Sequence, residues 1–232
     1  MAIQVGDIVL YNDYILPEST NWAGDLDRDP CLTLASSIAL AYAGGFRILI
    51  AGDLNARTGS QTPSARDPPR ASKDEKPPSS RGRFLFKLCN DYDLVFVSGA
   101  ECFGPSSGDF TSFQGSRSTV IDYVICSRSL FPAIRSFAVE PREPGFDHAA
   151  LVVRLEINSN LLAPMDPQRS RKRKREETTL PNHTELDKLL IQTLEAGKDD
   201  KGKKPRLYGP ALGSILVSTR LVIFLFEYGV LI

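Results

Sequence analysis

Apolar and polar positions alternate in blocks along the first 157 residues, and most blocks have the period of a strand or a helix. The apolar run Ile3–Tyr11 predicts a first strand, and the continuous run Phe46–Ala51 predicts a strand that is covered on both faces. Between them, Asp29 and Pro30 favour the start of a helix, and a Gly-Gly pair favours its end. The face of this helix that we expect to be buried carries Leu32, Ala35, Ile38, Ala39 and Tyr42.

A second group of elements follows residues 60–80, which are rich in proline, serine and charge and which we expect to form a long mobile loop. Residues 82–92 predict a helix whose inner side carries Phe84, Leu85, Leu88 and Cys89. Four short apolar runs then predict strands at Leu94–Ser98, Phe110–Phe113, Thr119–Cys126 and Ala149–Ile157. Because helices and strands alternate early and strands dominate later, the order predicts an α/β fold with mixed β-sheets.

The character of the chain changes near residue 158, so we interpret residues 1–158 as one folded domain. Residues 159–182 are polar, basic and proline-bearing, which is typical of a linker. Residues 183–232 contain a predicted amphipathic helix, Thr184–Gly197, and an apolar tail, and they match no domain that we recognise. Charged residues interrupt the tail, which leaves an apolar run far shorter than the roughly 20 residues that span a bilayer, so we expect no membrane partner.

Charge and cysteine content narrow the function classes only locally. The formal net charge is zero, but the run Arg169–Arg175 is basic at every position except one. This run is either a nuclear-localisation or nucleic-acid-binding segment or a solvated linker. The four cysteines lack Cys-x-x-Cys spacing, which argues against a zinc site and favours reduced thiols. With no signal-peptide pattern at the N-terminus, we expect a nuclear or cytoplasmic protein rather than a secreted one.

Acid, amide and imidazole groups stand at the ends of predicted strands. Asp53 and Asn55 follow an apolar strand, and side chains two apart on an extended segment point the same way, although a plain turn explains them equally well when they are taken alone. Asp147 and His148 precede the last strand, and Asp122 can hold that imidazole through its ring N–H. Carboxylates without a Cys or His cluster suit a hard cation such as Mg²⁺. These groups predict metal-assisted phosphodiester hydrolysis.

The order of five motifs extends this interpretation: "YILPE", "ILIAGDLNAR", "RGRFLFKLCNDYDL", "FTSFQGSRSTVIDYVICS" and "FDHAALVVRL". Together they resemble the endonuclease/exonuclease/phosphatase superfamily, with its DNase-I-like fold, and more narrowly the endonuclease domain of fungal non-LTR retrotransposons. In such elements a linker leads from the endonuclease towards a further enzymatic domain, the reverse transcriptase. The resemblance runs from Ile3 to Ile157. It implies the C-terminal portion of a four-layer α/β sandwich with mixed β-sheets, followed by a disordered or poorly packed extension.

The resemblance implies a role for each matching residue. Asp53 matches the acid that activates water or protonates the leaving oxygen, and Asn55 matches the amide that orients the scissile phosphate. His148 matches the histidine that binds phosphate and shares in proton transfer. The remaining matches are Asp122 as the carboxylate partner of that histidine, Asp147 as a metal ligand and Tyr14 as a phosphate contact. The implied cofactor is Mg²⁺ or Mn²⁺, and the implied partner is the phosphate backbone of DNA.

Two departures from the family pattern set the expected activity. Phe146 stands where the family has a small hydroxyl residue. The family's first half, which supplies an early asparagine and the glutamate that is its principal metal ligand, is also expected before Tyr14, and no stretch there can hold it. We therefore expect weak or absent endonuclease activity from a truncated domain. The alternatives are an inactive remnant that binds nucleic acid through Arg169–Arg175 and a phosphatase of the same superfamily.

Overall fold

The structure, a computed structural model, describes residues 2–18, 20, 29–156, 220–226 and 229–231. These residues belong to a unit made of residues 1–165 and 219–232. The predicted linker over 159–182 and the predicted helix Thr184–Gly197 lie outside the described residues, as does the basic run Arg169–Arg175.

The first sheet contains five strands: β1 (Ala2–Val5), β2 (Ile8–Asn12), β3 (Arg47–Asp53), β4 (Leu94–Phe96) and β7 (Asp122–Ser127). Their order across the sheet is β1-β2-β3-β7-β4. The single strand predicted over Ile3–Tyr11 is wrong, because Gly6, with φ +60°, turns the chain into a hairpin. β2 and β3 are parallel neighbours and the other pairs are antiparallel, so this sheet is mixed, as expected.

The two helices cover one face of this sheet. α1 (Pro30–Ala43) begins where the Asp29 carboxylate accepts a hydrogen bond from the Cys31 backbone N–H, at 2.8 Å. α2 (Ser80–Asp91) begins where the Ser79 hydroxyl accepts from the Gly82 N–H. The buried face expected for α1 is right at Ile38 but wrong at Leu32 and Tyr42, which are exposed. The buried residues are Cys31, Leu34, Ile38 and Ala41. The expectation failed because α1 is apolar on nearly every side, so its periodicity does not single out one face.

The strands of a second sheet are β8 (Ile134–Val139), β9 (Leu151–Glu156), β10 (Arg220–Phe226) and β11 (Gly229–Leu231). Their order is β11-β10-β9-β8, and the sheet is antiparallel throughout. The sequence did not predict β8. The apolar tail contributes β10 and β11, and β10 pairs with β9. A separate hairpin pairs β5 (Ser112–Gln114) with β6 (Arg117–Thr119).

Two hydrophobic clusters define the layers. In β3, Ile48 and Ile50 face the helices, whereas Leu49 and Ala51 face β8 and β9 of the second sheet. This alternation explains the continuous apolar run, because the strand is buried on both faces. The described residues thus form a helix–sheet–sheet sandwich, which confirms the predicted α/β class. Within the described ranges, no helix is long and apolar enough to cross a membrane.

Residues 60–79 form no helix or strand longer than one bridge, but two charged side chains anchor them. Arg70 is buried and donates through Nε to the Ser98 carbonyl oxygen at 2.9 Å. Asp74 is buried and accepts from the Val120 N–H. These contacts tie the loop to the sheet beside β7, and the predicted mobility of the loop stays a prediction.

Candidate active site

The site begins where two antiparallel strands end with acids side by side. Asp53, the last residue of β3, is the register partner of Asp122, the first residue of β7. The Leu54 N–H donates to the Ile121 carbonyl oxygen at 3.1 Å, which extends the pairing one residue beyond the two acids. Directly opposed residues on antiparallel strands have Cβ atoms about 4.5–5.5 Å apart, so the two carboxyl groups share one edge of the sheet.

His148 joins this edge through a bridge between β5 and the segment before β9. The Phe113 N–H donates to the Asp147 carbonyl oxygen at 2.7 Å, and the Ala149 N–H donates to the Thr111 carbonyl oxygen at 2.8 Å. These two hydrogen bonds fix the position of the His148 backbone relative to β5. Its Nδ1 lies 3.0 Å from each carboxylate oxygen of Asp122, and both side chains are only 10% exposed.

Asn55 contacts Asp53 through a backbone conformation that differs from the one expected from the sequence. The extended geometry expected for this pair is wrong, because Asn55 has φ +43° and turns back over Asp53. Its backbone N–H donates to one Asp53 carboxylate oxygen and its Nδ2 donates to the other, each at 2.9 Å. Nδ2 also donates to the Ile15 carbonyl oxygen at 2.9 Å. Both groups that Nδ2 contacts are hydrogen-bond acceptors, which determines the orientation of the Asn55 amide. Asn55 in turn orients the Asp53 carboxylate.

The glycine of the "GDLN" motif allows β2 to pass close to β3. Gly52 has φ +137°, and a Cβ placed there would lie 2.1 Å from the Asp13 carbonyl oxygen. Any other residue would therefore push the two strand ends apart. Burial raises the pKa of the Asp13 carboxyl above its ordinary value. Two backbone bonds, from Asp13 to Ala51 and from Ile15 to Asp53, continue the parallel pairing to the site.

Thr111 supports the start of β7, and the sequence analysis did not single it out. This residue is 1% exposed, and its hydroxyl oxygen accepts from the backbone N–H groups of Ile121 and Asp122, each at 3.1 Å. The Thr111 hydroxyl group thus fixes the backbone at the start of β7, where Asp122 lies. The sequence contains no clear signal for this role, because threonine is common in strands.

A buried polar network lies next to Asp122 and makes this strand rigid. The Tyr123 hydroxyl donates to the Val120 carbonyl oxygen at 2.7 Å and accepts from the Thr58 hydroxyl at 3.1 Å. Burial raises the pKa of Tyr123 to about 12. The Arg70 guanidinium lies 4.2 Å from the centre of the Phe96 ring, and burial lowers its pKa to about 10. This packed network therefore holds rigid the strand end that carries Asp122.

The donor set fits a hard divalent cation. One ligand atom from each of Asp53, Asp122 and His148 lies within 4.8 Å of the others. Oxygen ligands of Mg²⁺ lie about 2.0–2.1 Å from the ion, so ligands on opposite sides of it are about 4.2 Å apart. The spacing in the cluster is thus close to that range, and each carboxylate keeps lone pairs beyond those used by Asn55 and His148.

Four of the six residues singled out from the sequence therefore meet in one place: Asp53, Asn55, Asp122 and His148. Asp147 is exposed, takes part in the bridge through its backbone, and lies outside the cluster of possible ligand atoms found among the described residues. Tyr14 is 57% exposed and Phe146 is 49% exposed. The roles that the resemblance implied for all six residues stay predictions.

Solved structures similar to this chain are nucleases and a phosphatase. The endonuclease domain of TRAS1, a telomere-specific non-LTR retrotransposon, is 19% identical, with a TM-score of 0.46 and coverage of 66% of this chain and 59% of that chain. The 3′-5′ exonuclease NExo from Neisseria meningitidis is 14% identical, with a TM-score of 0.43 and coverage of 66% and 63%. The 3′ phosphatase NExo from Neisseria, bound to a product DNA hairpin, is 15% identical, with a TM-score of 0.40 and coverage of 64% and 61%.

The match thus covers less than two thirds of the length of each of these solved structures. No protein-family model matches the chain. No curated protein sequence matches it either.

Proposed function

We propose that this chain is a divalent-cation-dependent phosphodiester hydrolase that acts on DNA as an endonuclease. The observation that carries the proposal is the convergence of Asp53, Asp122 and His148 at one strand end. Two carboxylates and an imidazole in one place supply the acid, the base and the cation ligands that such a hydrolysis needs.

Asp53 and His148 divide the proton transfers. Asn55 fixes both carboxylate oxygens of Asp53, so this acid presents its remaining lone pairs in a defined direction towards a water molecule or the leaving oxygen. Asp122 fixes the ring of His148 through Nδ1. His148 therefore turns Nε2 away from Asp122, and this nitrogen, when protonated, donates to a phosphate oxygen of the substrate.

Asp53 and Asp122 would hold the cation, Mg²⁺ or Mn²⁺. When bound, the cation supplies positive charge that stabilises the negative charge developing on the phosphate group. His148 has Nδ1 bonded to Asp122 and Nε2 within hydrogen-bond distance of Ser112, which suits it to orientation and proton transfer. Exposed Asp147 would contribute after a movement of its side chain, so we assign it a secondary role.

We expect the cation to bind weakly. Among the described residues, the carboxylates in the cluster are those of Asp53 and Asp122. A site with few charged ligands binds a cation weakly, so turnover should depend on the cation concentration.

Nicking of supercoiled plasmid by the purified chain tests the proposal. We expect nicking with Mg²⁺ or Mn²⁺, none with a chelator, and none for Asp53→Ala. Asp91→Ala is the matched control, because it removes an exposed acid that pairs with Lys87 on α2, away from the site. Equal nicking by wild type and Asp53→Ala would contradict the proposal.

The same assay separates the alternatives. Hydrolysis of p-nitrophenyl phosphate without plasmid nicking would favour a phosphatase. DNA binding without hydrolysis would favour an inactive remnant, provided that the binding weakens steeply with salt and is lost when Arg171–Arg175 are neutralised. A nuclear or cytoplasmic location stays a prediction.

A further inference from the structure

Ser112 contacts the nitrogen of His148 that Asp122 does not. Its hydroxyl oxygen lies 3.3 Å from Nε2, while Nδ1 lies 3.0 Å from the Asp122 carboxylate. Ser112 and His148 are bridge partners, and the backbone hydrogen bonds come from the residues that flank them. This is the antiparallel arrangement in which opposed side chains lie closest together, so the strand pairing itself brings the hydroxyl group to the ring.

The two contacts select one form of the neutral ring. A carboxylate only accepts hydrogen bonds, so Nδ1 carries the proton that faces Asp122. Nε2 then holds a lone pair, and the Ser112 hydroxyl donates to it. With both nitrogens bonded, the ring has a fixed tautomer and a fixed rotation about its Cβ–Cγ bond.

The order Ser112–His148–Asp122 is that of a hydrolase triad, but the burial of Ser112 argues against a nucleophilic role. Ser112 is 2% exposed and lies in β5, whose pairing with β6 holds its backbone. A nucleophile must reach the reacting atom of a substrate. The hydroxyl group is placed to hold the histidine instead.

We propose that Ser112 is a positioning residue that fixes the tautomer and orientation of His148. Its effect on turnover rests on the function proposed above, whereas the contact itself is measurable without any substrate. In the free protein the hydroxyl group donates to Nε2. Phosphate oxygens only accept hydrogen bonds, so substrate phosphate takes the place of the hydroxyl group once Nε2 carries a proton, and it meets a ring that is already oriented. Because the serine contact is made before substrate binds, its loss should lower kcat/KM.

Nuclear magnetic resonance tests the contact directly, because the chain has only two histidines, His148 and His183. A His183→Gln background leaves one ¹⁵N-labelled ring in the spectrum. We expect Nδ1 of His148 to be protonated and Nε2 to accept a hydrogen bond. Ser112→Ala should shift the Nε2 resonance while Nδ1 keeps its value, and Ser112→Thr, which retains a hydroxyl group, should restore Nε2. An unchanged Nε2 in Ser112→Ala would overturn the proposal.

Kinetics tests the consequence with the same variants. Loss of one hydrogen bond is worth about 0.5–1.5 kcal/mol, so we expect kcat/KM of Ser112→Ala to fall about three- to tenfold, and Ser112→Thr to recover it. A shifted Nε2 resonance with unchanged kcat/KM would overturn the proposal, as would a phosphorylated Ser112 trapped during turnover. If wild type cuts no better than Asp53→Ala, the proposed function fails, and the resonances alone decide whether Ser112 positions His148.

Discussion

β3 and β7 end in polar groups on both sides of the molecule, but the two ends differ in charge. At one end Arg47 donates through Nε to Asp7 at 2.8 Å, both side chains are 8% exposed, and the Ile48 N–H donates to the Ser127 hydroxyl. At the other end two acids, Asp53 and Asp122, stand as register partners. Opposite charges meet at the first end, and like charges meet at the second.

This difference separates a stabilising end from a chemical end. A buried pair of opposite charges with direct hydrogen bonds satisfies both groups, and breaking it leaves one charge buried. Two neighbouring carboxylates repel each other and gain most from a shared cation or proton. Arg47 thus contributes mainly to the stability of the fold, and Asp53 mainly to the proposed chemistry. Substitutions at the Arg47 end should lower the free energy of unfolding, whereas substitutions at the Asp53 end should lower the cleavage rate.

The largest expected effect is on cleavage by Asp53→Asn. The amide cannot act as a general acid or base and weakens cation binding, so we expect the rate to fall about 10²- to 10⁴-fold. The free energy of unfolding should change by less than about 1 kcal/mol, because the loss of repulsion offsets the altered contacts with Asn55. Plasmid nicking and urea denaturation measure the two quantities. A rate within threefold of wild type would remove Asp53 from the chemistry.

The next largest effect is on stability at the opposite end. Asp7→Ala leaves Arg47 buried without its carboxylate, which should lower the free energy of unfolding by about 3–5 kcal/mol. The matched control is Glu156→Ala, which breaks an ion pair with Arg135 whose side chains are 43% and 60% exposed and should cost at most about 1 kcal/mol. Equal losses in the two variants would show that burial does not distinguish these pairs.

A smaller effect is expected for Asn55→Gly and Asn55→Ala. Both remove the amide that holds Asp53, so we expect kcat to fall about tenfold in each, from the loss of one or two hydrogen bonds. Asn55→Ala should also lose about 1–2 kcal/mol of stability relative to Asn55→Gly, because φ is +43° at this position. A raised KM with unchanged kcat would mean that Asn55 contacts the substrate rather than Asp53.

The sequence predicted the parts of the fold whose patterns are local and strongly periodic. The β-α-β order, the caps of α1 and the double burial of β3 follow from turn residues, capping residues and an unbroken apolar run. The meeting of Asp122 with His148 was also expected from a carboxylate and an imidazole at strand ends, and the structure places them 3.0 Å apart.

The features that the sequence did not predict depend on tertiary packing. The buried face of α1 is chosen by the sheet beneath it, because residues such as Leu32 and Leu34 are equally apolar. The Ser112–His148 bridge pairs segments 36 residues apart, and a serine in a short strand gives no sign of its partner. Asn55 carried a signal as a polar residue after a strand, but its left-handed turn onto Asp53 appears only in the fold.

The most direct test of the central claim is whether a divalent cation stabilises the chain through Asp53. Urea denaturation with and without Mg²⁺ measures this, since binding to the folded state adds about 2.7 kcal/mol at a cation concentration one hundred times Kd. We predict this gain for wild type and for Asp7→Ala, and none for Asp53→Asn. An equal gain in Asp53→Asn, or no gain in wild type, would contradict the assignment of the strand end as a cation site.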